Sequence, residues 1–452
     1  MRSTGKVFGL IFGVVLCLLT MHFLPTFSIN GIESRPVDLL SDLRPTEEEI
    51  NETAFKAKVN TPKPPPAKYH PEGVILIEDF SQGKAGGMNH FYDRLLHAKN
   101  AKKPINIAYF GDSFVEADIL TCDLREKLQA RYGGEGPGWV DAGGGTGSYR
   151  GTVTTRYQGI TENVVTKKPF NSQLQAINQR YYSITNGATL KLGGTKFRPH
   201  VGNWSKATLF FRTASEMAIE TTTNNGTTQK HMVHGSDSIQ VITTEENMTQ
   251  INYRFSQVSR QPHLFGVALD GNKGVALDNF SIRGIPGYSL ANIPVKTLKE
   301  IRSYRPYDLI VIHFGLNACT DNTSDAACRQ YIDRMKKVIA NMREAFPDAS
   351  IVVFSVSDRV QRSANGLHSL KGILKLVEFQ RVLASECHVA YLNIHQIMGG
   401  KDGMIDFVSK GLAAKDYTHM NYKGGEKIAE HIVQSILAGV ENYRREQSYK
   451  AE

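Results

Sequence analysis

The chain reads as an α/β protein built on a parallel sheet and interrupted by an all-β insertion, and three observations carry that reading. First, a short apolar strand, Ile105 to Phe110, stops at Gly111-Asp112-Ser113 and gives way to a helical run marked by Leu120, Leu124 and Leu128. Second, from Val275 onward short buried strands alternate with amphipathic helices, the pattern of a parallel sheet. Third, 141–272 is rich in Thr, Ser and Asn, with short apolar runs broken by turns, which predicts a β-sandwich or jelly roll.

Length and composition agree with this. The 452 residues suggest two domains or one with a large insertion, and 41% hydrophobic residues can build a real core. The net charge of +9 is not gathered into a Lys/Arg block or interleaved with aromatics, so nucleic acid is not expected as a partner. A mild pull toward anionic envelope polymers is all that the charge allows.

At the N-terminus Val7 to Phe27 is almost wholly apolar, preceded by Arg2 and Lys6 and followed by Glu33, Asp38 and Asp42. The charge asymmetry predicts a membrane anchor with the body outside the cytoplasm. A cleaved signal is the alternative, but Leu24-Pro25-Thr26-Phe27 offers no small-x-small site, and Leu16 before Cys17 argues against a lipoprotein box. The expected organisation is an anchor or signal segment at 1–28 and a Pro-rich stalk at 29–73, including 60–68. A first catalytic segment at 74–140, the β insertion at 141–272 and a second catalytic segment at 273–452 follow.

Val74 to Phe80 opens the folded part, and Ile105 to Phe110 is its first core strand. The glycines of 133–138 and 143–147 are turns: no strand, helix and Lys-Ser/Thr flank them as a phosphate cradle requires. Inside the insertion, strands are expected around Ala188–Leu192, Ala207–Arg212, Ser238–Thr243 and Ile251–Phe255. His231 and His234 lack further ligands at metal spacing and read as surface residues. After the turn at 270–274, core strands are expected at Val275–Ile282, Asp308–Phe314, Ile351–Phe354 and Val389–Asn393. Helices are marked by Ile332 to Phe346, by Ile373, Leu376 and Leu383, and by Ile428, Ile432 and Ile436.

Three stretches carry chemistry. Ser113 stands at the carboxyl end of a strand, where open α/β sheets place their ligands. A hydroxyl becomes a nucleophile when a base takes its proton and a carboxylate orients that base. Asp416 and His419, three residues apart, supply that pair. The oxyanion needs preorganised donors, for which the candidates are the N–H of Ser113, the N–H of Gly287 and the Asn317 amide. Gly284 competes with Gly287 for that role. An α/β-hydrolase elbow is excluded, because Val115 stands where Gly-x-Ser-x-Gly requires its second glycine.

These stretches, GDSFVEAD, GIPGYS, HFGLN and DYTH, together resemble the SGNH/GDSL hydrolase superfamily over about 74–140 and 274–445. The resemblance implies a flavodoxin-like three-layer fold and an ester hydrolase working through an acyl-enzyme, without metal or cofactor. Its markers fall on Ser113, Gly287, Asn317 and His419, with Asp416 completing the triad. One departure is Ala318, where the family's Asn is usually followed by Asp. The interrupted core and LAAKDYTHMNYKGG further resemble bacterial cell-envelope members such as peptidoglycan O-acetylesterases, whose inserted β domain is carbohydrate-binding-module-like. That implies an O-acylated polysaccharide as substrate. A lipase, a thioesterase, an acyltransferase or a non-catalytic glycan-binding protein are the other readings.

Two further expectations follow. Trp204 is the better candidate of the two Trp residues for stacking on sugar, a core position being the commoner fate of a Trp, and the insertion that carries it could be excised without loss of small-ester hydrolysis. Cys319 and Cys328, nine residues apart, are the candidate disulfide, while Cys122 and Cys387 are expected to be reduced and buried.

Overall fold

The computed structural model describes residues 2–23, 28–29, 32–33, 67–145, 149–224, 226–364 and 366–451. They fall into two units, 1–66 and 67–452.

The first unit holds helix α1, Arg2–His22, and a small antiparallel pair, β1 (Ser28–Ile29) with β2 (Ile32–Glu33). No helix among the described residues is long and apolar enough to cross a membrane. Of the expected apolar segment, Val7 to Phe23 lies within the described residues and 24–27 outside them. Most of the expected stalk, 34–66, lies outside the described residues.

The second unit is organised by a six-stranded sheet. Its strands are β3 (Glu78–Asp79), β4 (Ile105–Gly111), β14 (Val275–Ser281), β15 (Leu309–His313), β16 (Ser350–Phe354) and β19 (Ala390–Leu392), in the order β14-β4-β15-β16-β19-β3. All pairs are parallel except the short edge strand β3 on β19. Leaving β3 aside, this is the 2-1-3-4-5 order of a flavodoxin-like sheet, with its switch point between β4 and β15. Every residue of β4, β15 and β16 is buried, as strands covered on both faces must be.

The helices are α2 (Asn89–Leu96), α3 (Thr121–Tyr132), α4 (Val295–Tyr304), α5 (Asp325–Ala345), α6 (Lys371–Glu386), α7 (Ile394–Ile397), α8 (Gly403–Ser409) and α9 (Tyr422–Ala451). Their apolar stripes face the core: Leu124 and Leu128 of α3, Ile332, Met335, Ile339 and Met342 of α5, and Ile428, Ile432 and Ile436 of α9 are buried. Ser324 caps α5, its hydroxyl accepting the Ala327 N–H at 3.2 Å.

Between β4 and β14 lies the insertion, one antiparallel network of nine strands. They are β5 (Gly138–Val140), β6 (Val153–Val164), β7 (Arg180–Gly194), β8 (Trp204–Thr213), β9 (Met217–Thr223), β10 (Thr228–Val233), β11 (Ser236–Met248), β12 (Gln250–Ser256) and β13 (His263–Asp270). Because β5 pairs with β13 over Gly138–Val140, the network opens a few residues before the expected 141. Long β7 pairs with β6, β12 and β13, which joins the strands into one hydrogen-bonded network. Trp204, the candidate sugar platform, takes the commoner fate of a core Trp: it is fully buried in a cluster with Leu209, Phe211, Met217 and Phe255 in the insertion's own core, so it has no face to offer.

Candidate active site

The site forms at the carboxyl ends of β4 and β15. The chain leaves β4 through Asp112 and Ser113, then makes a 3-10 turn over Glu116–Asp118 before α3 begins. Ala117 (φ 55°) and Asp118 (φ 65°) are both left-handed there, a rare backbone state for non-glycine residues. It persists because Asp118 is held from all sides. Its buried carboxylate accepts from Arg125 of α3, Arg150 and Thr152 of the insertion, Thr121, and Asn279 of β14. Burial opposes its ionisation, yet the two guanidiniums hold the carboxyl far below the usual range.

Ser113, 7% exposed, sits in reach of a turn that precedes α9. His419 Nε2 lies 3.1 Å from Ser113 Oγ, and His419 Nδ1 lies 2.7 Å from Asp416 Oδ2. The Asp416 contact assigns the proton to Nδ1, leaving Nε2 as the acceptor for the serine hydroxyl. Asp416 Oδ1 accepts the backbone N–H groups of Thr418 and His419, both at 3.0 Å. Burial raises its carboxyl, but the His419 ring and these N–H groups outweigh that and keep it below the ordinary value. Tyr417, between the pair, is left-handed at φ 54°, and its carbonyl accepts the Val360 N–H at 3.0 Å. The three residues expected to form the triad are therefore in one hydrogen-bonded line.

The loops that carry the oxyanion candidates are tied to one another. Asn317 follows β15, and its amide donates to Asp112 Oδ2 and to the Ile285 carbonyl, both at 3.3 Å. Both contacts are long, so either can be exchanged for an incoming anion at normal length. Of the two competing glycines, Gly287 (φ 99°) is packed so closely on Phe314 that a Cβ would stand 2.6 Å from the ring, whereas a Cβ on Gly284 would meet open space. Glycine is demanded at 287 by contact as well as by conformation. The loop is further tied by the Tyr331 hydroxyl donating to the Pro286 carbonyl at 3.0 Å and by Arg283 donating to Glu116.

Sequence reasoning missed Asp112, Glu116 and Asp118 as positioning groups, although three carboxylates in seven residues at the end of a buried strand were a visible signal. Asp112 lies beneath the serine, its Oδ1 accepting the Phe114 N–H at 3.0 Å. Burial pushes its carboxyl up to about 6 in spite of nearby His419 and Asn317.

The expected Cys319–Cys328 disulfide is not formed: both are free, buried thiols. Cys319 turns to the start of α6, where its Sγ donates to the Gly372 carbonyl at 3.4 Å, and burial pushes the thiol up to about 12. The loop is closed instead by Thr320 and Thr323, the Thr323 hydroxyl accepting the Thr320 N–H at 2.8 Å. Cys122 is buried and free, and Cys387 is free but only half-buried. His234 is exposed beside Glu216, and no group of His, Cys, Asp and Glu among the described residues could hold a metal.

Residues 243–427 match the model of the GDSL-like lipase/acylhydrolase family, a span that opens within β11 and takes in Asn317, Asp416 and His419 but not Ser113. Among solved structures, a peptidoglycan O-acetylesterase superposes with a TM-score of 0.66 at 18% identity, covering 81% of this chain and 99% of that one. At that identity the likeness is one of fold, insertion included. The carbohydrate acetylesterase Est24 from Sinorhizobium meliloti (TM-score 0.28, 12% identity, 36% of this chain and 79% of that one) also matches, too distantly to carry an argument. No curated protein matches the sequence.

Proposed function

We propose that this chain, a carboxylic ester hydrolase with a GDSL-like lipase/acylhydrolase domain, removes O-acetyl groups from a cell-envelope polysaccharide such as peptidoglycan. The observation that carries the reading is the line Asp416–His419–Ser113, with contacts of 2.7 and 3.1 Å. The choice of polymer is supported by a peptidoglycan O-acetylesterase having the same fold over 81% of the chain. Such a substrate puts the enzyme's work outside the cytoplasm.

In the proposed cycle Ser113 Oγ attacks the acetyl carbonyl as its proton passes to His419 Nε2, and Asp416 stabilises the imidazolium. The carbonyl oxygen becomes an anion received by the Ser113 and Gly287 N–H groups and by Asn317, which gives up a 3.3 Å bond to do so. Collapse breaks the ester C–O bond, and the sugar alkoxide takes the proton from His419 and leaves. Water, deprotonated by His419, then attacks acetyl-Ser113, releasing acetate and restoring the hydroxyl.

The test is acetate release from O-acetylated peptidoglycan, with p-nitrophenyl acetate as the small-ester control. Release by the wild type and none by Ser113→Ala is the expected result. Turnover of the small ester without release from any O-acetylated glycan would refute the proposed substrate.

A further inference from the structure

Beside the triad, and lined in part by its Asp416, lies a cavity of about 510 Å³. One wall is an antiparallel hairpin, β17 (Val360–Ser363) with β18 (Gly366–Ser369), that follows β16. The other is the turn that carries Asp416, and the Val360–Tyr417 backbone bond staples the two together. Three cations line it: Arg359, Arg362 and Lys415. Arg362 and Lys415 are exposed, and none of the three makes an ion pair among the described residues. Arg359 donates to the Leu316 carbonyl at 3.3 Å, which fixes it next to the Asn317 loop. The one carboxylate in the lining, Asp416, is already held by His419 and two backbone N–H groups. Asp321, close by, accepts the Lys371 N–H and faces His368.

Three unpaired cations gathered in one cavity repel one another, and an anionic ligand relieves that. Leu367, Leu370 and Tyr417 add apolar and aromatic surface of the kind that packs on a sugar ring. We propose that this cavity is a specificity subsite for a carboxylate borne by the substrate glycan close to its O-acetyl group, on a uronic acid or on a peptide stem. This rests on the polysaccharide reading above and narrows it from glycans in general to acidic ones.

The experiment compares kcat/KM for acetate release from two polymers, O-acetylated polygalacturonate and acetylated xylan free of uronate. The wild type should prefer the acidic polymer, and the double variant Arg362→Gln with Lys415→Gln should reduce the ratio of the two constants by about tenfold. The ratio is read within each protein, so a loss of folded enzyme cancels. Without any variant, 0.5 M NaCl should lower the wild-type ratio, because screening acts on the acidic substrate alone. An equal rate on both polymers, or a ratio that neither salt nor the variant moves, overturns the subsite and leaves the esterase reading standing. Release from neither polymer nor from O-acetylated peptidoglycan, with p-nitrophenyl acetate still cleaved, removes the polysaccharide reading and the subsite with it.

Discussion

Asp112 and Asn317 form a couple beneath the nucleophile: the carboxylate takes one amide hydrogen and so sets where the other points. Asn317→Ala should therefore cost roughly 3 kcal/mol of transition-state stabilisation, or about 10²-fold in kcat, measured on p-nitrophenyl acetate. Ser113→Ala or His419→Ala should cost at least ~10³-fold in the same assay, and wild-type-like rates would sink the triad. The Asp112 carboxyl, pushed up to about 6 by burial, makes a distinct prediction about pH. Its folded value is above the unfolded one, so the folded state binds the extra proton, and this group's contribution to stability falls as pH rises from about 4 to 6. Asp416 and Asp308, held low, act in the opposite sense and gain stability as pH rises through their unfolded value. The Asp112 share is isolated by comparing urea unfolding of wild type and Asp112→Asn. The stability of the variant relative to wild type should rise between pH 4 and 6, by up to roughly 3 kcal/mol. A difference that stays flat would mean that Asp112 titrates normally.

The 3-10 turn after the nucleophile depends on Asp118, whose partners come from α3, β14 and the insertion. Removing that carboxylate leaves the buried Arg125 and the part-buried Arg150 without their shared partner. Asp118→Ala should destabilise the protein by about 3–5 kcal/mol in urea unfolding, and loss below 1 kcal/mol would refute the anchoring role. How much of this was legible follows from the range of each interaction. The five parallel strands were readable because each is a buried apolar run bounded by turns, the Ser and Asn motifs because each sits at such a run's end, and the His motif because Asp and His stand three residues apart just before a helical run. The hairpin of β17 and β18 was not, since Gln361, Arg362 and Ser363 look like loop and only pairing to Gly366–Ser369 makes them strand. Helix α4 was missed because three apolar residues, Val295, Leu298 and Ile301, are too few to signal a period. The Asp118 cluster joins residues up to 161 apart, which no local pattern reports. The disulfide failed for a different reason. Spacing permits a bond, but the fold turns Cys319 toward α6.

Besides its own core, the insertion shares an apolar cluster with the sheet, and this changes what its removal should do. Trp139 of β5 packs on Phe210 of β8 at 4.9 Å between ring centroids and on Phe280 of β14 at 5.6 Å. Tyr181, Phe210, Ile239, Phe265 and Ala268 belong to the same buried cluster as Phe110, Leu277 and Tyr307 of the catalytic part. Polar contacts cross the boundary as well: Arg150 and Thr152 to Asp118, Arg198 to Asp123 at 2.7 Å, and Arg212 to Glu300 at 3.0 Å. A detachable binding module would meet its neighbour through a smaller and more polar surface. Excision of 141–272 should therefore abolish hydrolysis of p-nitrophenyl acetate together with activity on polymer, rather than sparing the small ester. A point substitution tests the same coupling without deleting anything. Phe210→Ala, at the centre of the shared core, should cost about 3–5 kcal/mol. Because insertion and sheet unfold together, that cost should appear as one shifted transition, followed in parallel by tryptophan fluorescence and by loss of esterase activity. Two separate transitions, with activity surviving the first, would show that the insertion folds on its own and that the shared core does not bind it to the catalytic part.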